Sequence, residues 1–125
     1  MTTQLQTGIV LFAHGSRDPL WHKPMEAVAA QIRLQEPQAT VACAYLELSQ
    51  PDLPTAVAEL VSQGVQAVRI VPMFLGVGKH AREDLPVLVQ ALRTTYPQLA
   101  LSLQGAVGEN PRLVELLAHI ALESA

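Results

Sequence analysis

An open α/β fold with a parallel sheet is predicted by three observations. Apolar runs of strand length alternate with segments of helical period, the joints between them are short, and proline, glycine or a capping residue punctuates the helical segments. The runs are residues 8–13, 40–46 and 67–71, with a fourth at 99–104, so the predicted order is β-α-β-α-β-α-β-α over 125 residues. Half of the residues are hydrophobic and no linker interrupts them, which predicts one domain over residues 1–125, large enough for a real core.

Each element has its own signal. The first strand, Gly8-Ile-Val-Leu-Phe-Ala13, is apolar without alternation, as a strand buried on both faces requires, and breaks into the polar turn His14-Gly-Ser-Arg-Asp18. In the first helix Met25, Val28, Ala29 and Ile32 follow the i, i+3, i+4, i+7 stripe. The second strand, Thr40 to Leu46, carries Cys43 as a packing residue and ends at Glu47. Ser49 or Asp52 is the expected cap of the second helix, with prolines in its first turn and Gly64 as its stop. The third strand, Val68-Arg-Ile-Val71, leads through Gly76-Val-Gly-Lys79 to His80, expected just ahead of a third helix with Leu85, Leu88, Val89 and Leu92 inward. Leu99-Ala-Leu-Ser-Leu-Gln104 alternates apolar and polar, the pattern of an edge strand. The fourth helix opens on Asn110-Pro111 and is expected to turn Leu113, Leu116, Leu117 and Ile120 inward.

Right-handed crossovers with helices on both sheet faces require the winding to reverse, and the strand polarities favour the order 2-1-3-4. The reversal then falls between strands one and three, and ligands of open α/β sheets bind outside the carboxyl ends at that point. His14 and His80 follow those two strands and Glu47 ends the neighbouring one, so the three are expected to converge. Neutral imidazole ligates Fe, Co, Ni or Zn and is a competent base near neutral pH, and two imidazoles with one carboxylate leave coordination positions open. A weaker signal is an internal echo. Strand, turn, helix and a Pro-Gln pair (Pro37-Gln38, Pro97-Gln98) recur about sixty residues apart, either as a duplicated unit relating the two histidines or as the common look of α/β units.

Other readings carry less. A net charge of −3 and the absence of a basic face with interleaved aromatics argue against nucleic acid. No run approaches a membrane span, and Met1 to Thr7 carries no basic residue ahead of the apolar stretch, which predicts no secretory leader. A single cysteine fits a reducing cytoplasm. His22 suits a surface or cap role and His119 a solvated one; Ser16 lacks the Gly-x-Ser-x-Gly elbow and suits capping. Gly76-Val-Gly-Lys79 lacks the Walker spacing, so no nucleotide is expected. Arg17, Lys79 and Arg82 flank the histidines and suit an anionic ligand. Phosphohistidine chemistry expects an Arg before the His-Gly pair, where Ala13 stands.

Three stretches together carry a family resemblance. Ile9-Val-Leu-Phe-Ala-His-Gly-Ser-Arg17, Ala44-Tyr-Leu-Glu-Leu-Ser49 with Pro51, and Val71-Pro-Met-Phe-Leu-Gly-Val-Gly-Lys-His80 with Asp84-Leu-Pro86 resemble the CbiX/SirB group of sirohydrochlorin chelatases, in the family's order, from about residue 8 to 110. The length is that of the small type, similar to one half of the two-domain enzymes, and the resemblance implies a homodimer. It also implies insertion of divalent Co, Fe or Ni, as substrate, into sirohydrochlorin, with no nucleotide or organic cofactor. His14 and His80 would present the metal and accept pyrrole protons, and Glu47 would be a further ligand or proton acceptor. Ser16, Arg17, Phe74, Gly78, Lys79 and Arg82 are the expected contacts to the polyanionic macrocycle. A carrier that binds metal or tetrapyrrole without turnover would use the same residues.

Overall fold

The computed structural model describes residues 6–124. The leader expectation rests largely on Met1–Leu5, outside the described residues. Four strands, β1 (Thr7–Ala13), β2 (Thr40–Tyr45), β3 (Ala67–Pro72) and β4 (Ala100–Leu103), alternate with α1 (Lys23–Gln35), α2 (Leu53–Ser62), α3 (Lys79–Thr95) and α4 (Pro111–Leu122). Two single-turn 3-10 helices, Pro19–His22 and Val107–Glu109, were not expected; they are too short to show a period. The sheet is parallel throughout in the order β2-β1-β3-β4, as expected, with Leu11 in register with both Cys43 and Val71.

Side chains alternate across the sheet and build two cores. Val10 and Phe12 of β1 point to the face that α2 and α3 cover with Leu53, Val57, Leu60, Leu85, Val89 and Leu92. Leu11 and Ala13 point to the other, where Met25 and Ala29 of α1 meet Val41 and Tyr45. Of the α1 stripe, Val28 lies at the rim and is exposed, because α1 spans only the β1–β2 side of its face. The β3–β4 half of that face is bare: Arg69 and Ser102, in register with Ile9, are exposed.

The caps follow the sequence. Asp52 Oδ1 accepts from the Thr55 N–H at 2.9 Å and opens α2, and Asn110 Oδ1 accepts from the Arg112 N–H at 2.9 Å and opens α4. The apolar face of α4 does not turn inward as expected. Leu116, Leu117 and Ile120 are 40–54 % exposed and Leu113 is half-buried, since the chain leaves β4 through Val107–Glu109 and carries α4 off the sheet. No helix among the described residues is long and apolar enough to cross a membrane.

The internal echo is real at the level of hydrogen bonds. Arg33 donates to the Val41 carbonyl at 2.9 Å, and Arg93, sixty residues on, donates to the Leu101 carbonyl at 3.3 Å. The turns after α1 and α3 close alike, Ala39 N–H to Glu36 O at 2.9 Å and Leu99 N–H to Tyr96 O at 3.0 Å. The same offset pairs Phe12 with Pro72 in the sheet, so the counterpart of His14 is Phe74 and not His80. The expectation that a pseudo-twofold relates the two histidines is therefore corrected.

Candidate functional site

At the winding reversal β1 and β3 end side by side. His14 follows β1, exposed, with its ring 4.4 Å from that of Phe74 and tilted by 42°. Phe74 is buried and packs edge-on against Phe12 at 6.1 Å, so the imidazole stands on an aromatic floor anchored in the core. Pairing with the second strand continues past the ladder: Leu46 N–H donates to Ala13 O at 2.9 Å and Glu47 N–H to His14 O at 3.0 Å. This brings the exposed Glu47 beside the His14 turn. The approach is close enough that Gly15, at φ +102°, has no room for a side chain, which would run into the Glu47 carbonyl oxygen. Leu48 opposite holds φ 64°, a left-handed conformation that costs a branched side chain roughly 1–2 kcal/mol and that recurs at functional sites.

After β3, Met73 N–H donates to Phe12 O at 2.7 Å before the chain runs out through Gly76 to Gly78, which caps α3. The helix starts at Lys79, so His80 lies in its first turn rather than ahead of it. Glycine caps without a side-chain hydrogen bond, which is why the sequence hid the boundary. His80 is 76 % exposed, and its Nε2 stands 2.9 Å from Asp84 Oδ2, one turn on. A carboxylate accepting from Nε2–H fixes the tautomer and leaves the Nδ1 lone pair free for a metal or a proton. Arg82 donates to the Val77 carbonyl at 3.4 Å, and Arg17, Lys79 and Arg82 all lie exposed at this end of the sheet. Beneath, Phe74, Val77, Arg82, Leu85 and Glu109 line a hollow of about 330 Å³. A hollow of about 390 Å³ lies after β2, lined by Tyr45, Glu47, Ser49 and Asp52. The two of about 610 and 600 Å³ sit at the opposite, amino ends of the strands, lined by Gln6, Glu36 and Arg69 in one and Gln66, Tyr96 and Gln98 in the other, with no histidine or cysteine.

His14 is thus joined to Phe74 by its ring and to Glu47 by its backbone, and His80 to Asp84. Among the described residues no three of His, Cys, Asp and Glu form a group that could hold a metal ion. Ser16 Oγ accepts from the Asp18 N–H at 3.0 Å, shaping the turn, while Asp18 caps the 3-10 helix through Leu20 N–H at 2.9 Å. His119 is exposed on α4. Cys43 is a packing residue: burial pushes its thiol pKa up, only partly opposed by Arg33, and its Sγ reaches the Met25 carbonyl at 3.8 Å. The sequence reading missed Asp84 as the partner of His80, although the i, i+4 spacing signals it. It also missed the contact of Ser49 and His22 with the His14 turn, which no local spacing signals.

Known proteins resemble this chain in sequence and in fold. The CbiX family model matches residues 8–124. A sirohydrochlorin cobaltochelatase of Methanothermobacter thermautotrophicus is 35% identical over 79 residues, 63% of this chain and 54% of that protein. One of Sulfolobus acidocaldarius is 25% identical over 91% of this chain and 89% of its own. The chain spans little more than half the length of the first curated relatives it matches. The crystal structure of a putative cobalamin biosynthesis CbiX protein from Marinobacter aquaeolei VT8 superposes with a TM-score of 0.79 at 34% identity, covering 92% of this chain and 93% of that one. SirB from Bacillus subtilis subspecies spizizenii, solved in complex with cobalt, shares the fold at a TM-score of 0.78 and 23% identity, with this chain matching 49% of its length. By the family match over nearly its whole described length, this chain belongs to the CbiX family.

Proposed function

We propose that residues 1–125 form one chelatase-like domain that inserts a divalent metal into sirohydrochlorin, as an ATP-independent lyase of cobalamin or sirohaem biosynthesis. The observation that carries this reading is the pair of exposed imidazoles at the winding reversal, one on an aromatic floor and one oriented by a carboxylate. Cobaltochelatases and a ferrochelatase among the relatives support the substrate class, and Co2+, with Fe2+ or Ni2+ as alternatives, is the metal. Metallation removes two pyrrole N–H protons, so a base must lie near the ring nitrogens. His14 and His80, through its free Nδ1, present the metal loosely and take those protons, with Glu47 assisting. Ser16, Gly78 and the cations Arg17, Lys79 and Arg82 hold the macrocycle's carboxylates, and Phe74 supports His14 from below.

The active species in this reading is a homodimer in the cytoplasm. The exposed leucines of α4 and the bare β3–β4 face are two uncovered surfaces of one chain, and a second copy covers both. A spectrophotometric assay with sirohydrochlorin and Co2+, Fe2+ or Ni2+ tests the function. Insertion well above the spontaneous rate is expected. A rate equal to the spontaneous one with every metal would overturn the enzyme and leave a binding or carrier module.

A further inference from the structure

Ser49 lies 33 residues from Ser16, yet its hydroxyl closes on that residue's backbone from both sides. Ser49 Oγ donates to the Ser16 carbonyl at 2.7 Å and accepts from the Ser16 N–H at 2.9 Å. A third contact comes from His22, whose Nε2 is 2.9 Å from the same oxygen. A hydroxyl has one proton, and here the Ser16 carbonyl takes it, so Ser49 Oγ must accept from His22 and Nε2 carries a hydrogen. The neutral Nε2–H tautomer and the imidazolium both satisfy that requirement.

His22 is itself packed in an aromatic cluster. Its ring makes a triangle with Trp21, at 5.6 Å, and Tyr45, at 4.9 Å, which pack against each other at 6.0 Å. Tyr45 is buried on β2 and stays a neutral phenol, its pKa pushed up to about 12 chiefly by burial. Three segments therefore meet at one oxygen: the turn after β1, the 3-10 helix before α1, and the loop between β2 and α2. With Glu47 N–H on His14 O, the backbone is held on both sides of Gly15, the residue whose positive φ sets the direction of the turn.

We infer that Ser49 and His22 are positioning residues: a hydroxyl–imidazole clamp on the Ser16 backbone that holds the His14 turn in its working geometry. The inference rests on the proposed role of His14. Partners that orient a ligating group typically weigh 10–100-fold in metal affinity or activity, and that is the loss expected here.

The test has a readout that does not need the chelatase. In Ser49→Ala, and in His22→Phe, which keeps the aromatic packing but deletes the donor, hydrogen exchange at the Ser16 amide should accelerate at least about tenfold while the β1 amides of Val10 and Phe12 stay protected. Titration with Co2+ alone, and metallation of sirohydrochlorin, should each weaken about 10–100-fold. Ser49→Thr and His22→Gln, which restore the hydroxyl and the donor, should recover most of the loss, whereas a role in stability alone would track melting temperature instead. Unchanged exchange at Ser16, or fast exchange with undiminished Co2+ binding, would overturn the clamp. A wild type that binds Co2+ without metallating sirohydrochlorin would sink the chelatase reading alone, and the exchange and Co2+ arms would still decide this one.

Discussion

The two halves of this chain, β1-α1-β2-α2 and β3-α3-β4-α4, use the same joints to opposite ends. The hydrogen bond from Glu47 N–H to His14 O has its counterpart in Gly108 N–H to Phe74 O at 2.9 Å. In the first half the glycine sits on the turn, Gly15 against the Glu47 carbonyl; in the second it sits on the other side, Gly108 against the Leu75 carbonyl. The first half puts an exposed imidazole at the shared position and the second puts the buried phenyl that supports it, so its histidine comes six residues later on a helix. The closing helices diverge most. α2 buries Leu53, Ala56, Val57 and Leu60, whereas α4, equally apolar, has no fully buried residue. The two halves share backbone contacts and differ in what they carry: an exposed imidazole in one and its phenyl floor in the other, a buried core helix in one and an exposed apolar helix in the other.

That comparison can be broken at three places. The largest effect should come from the glycines. Gly15→Ala and Gly108→Ala each drive a methyl into a backbone carbonyl and should cost more than about 2 kcal/mol, seen as a drop of several degrees in thermal midpoint. Equal, negligible shifts would mean that the close approaches are not tight. Next come the helices. Leu60→Ala should destabilise the fold by about 2–5 kcal/mol, while Leu117→Ala should change monomer stability by less than about 0.5 kcal/mol. Leu117→Asp should instead convert the proposed dimer to folded monomer in light scattering; an unaltered dimer would place the interface elsewhere.

The smallest effect separates the two caps. Asp52→Ala and Asn110→Ala should each cost about 1 kcal/mol. Only the first contribution should depend on pH. Hydrogen bonds from Thr55 hold the Asp52 carboxyl below its ordinary 3.8, so its share of stability is complete above that value and is lost as pH falls through the lower folded value. Asp52→Asn should keep the cap and flatten that acid limb of the unfolding curve.

What the sequence revealed followed local period. The sheet order was legible because β1 reads as doubly buried and β4 alternates like an edge, and Asn110-Pro111 announced its helix. The packing of α4 was not legible, because an apolar stripe does not show what its face packs against. The start of α3 was hidden by a glycine cap, and Val28 looked buried because a stripe does not show where its helix overhangs the sheet. Of the proposed site residues, His14, Glu47 and His80 stood out by their place after strands. The Ser49–Ser16–His22 contact did not, since it joins segments far apart in the chain.

In the proposed function two imidazoles of unlike setting, His14 on Phe74 and His80 on Asp84, serve one metallation site. Sirohydrochlorin metallation by wild type, His14→Ala and His80→Ala, each checked for retained fold by circular dichroism, tests it most directly. Loss of insertion in both variants with the fold intact is the predicted result. Wild-type rates in either variant would contradict it.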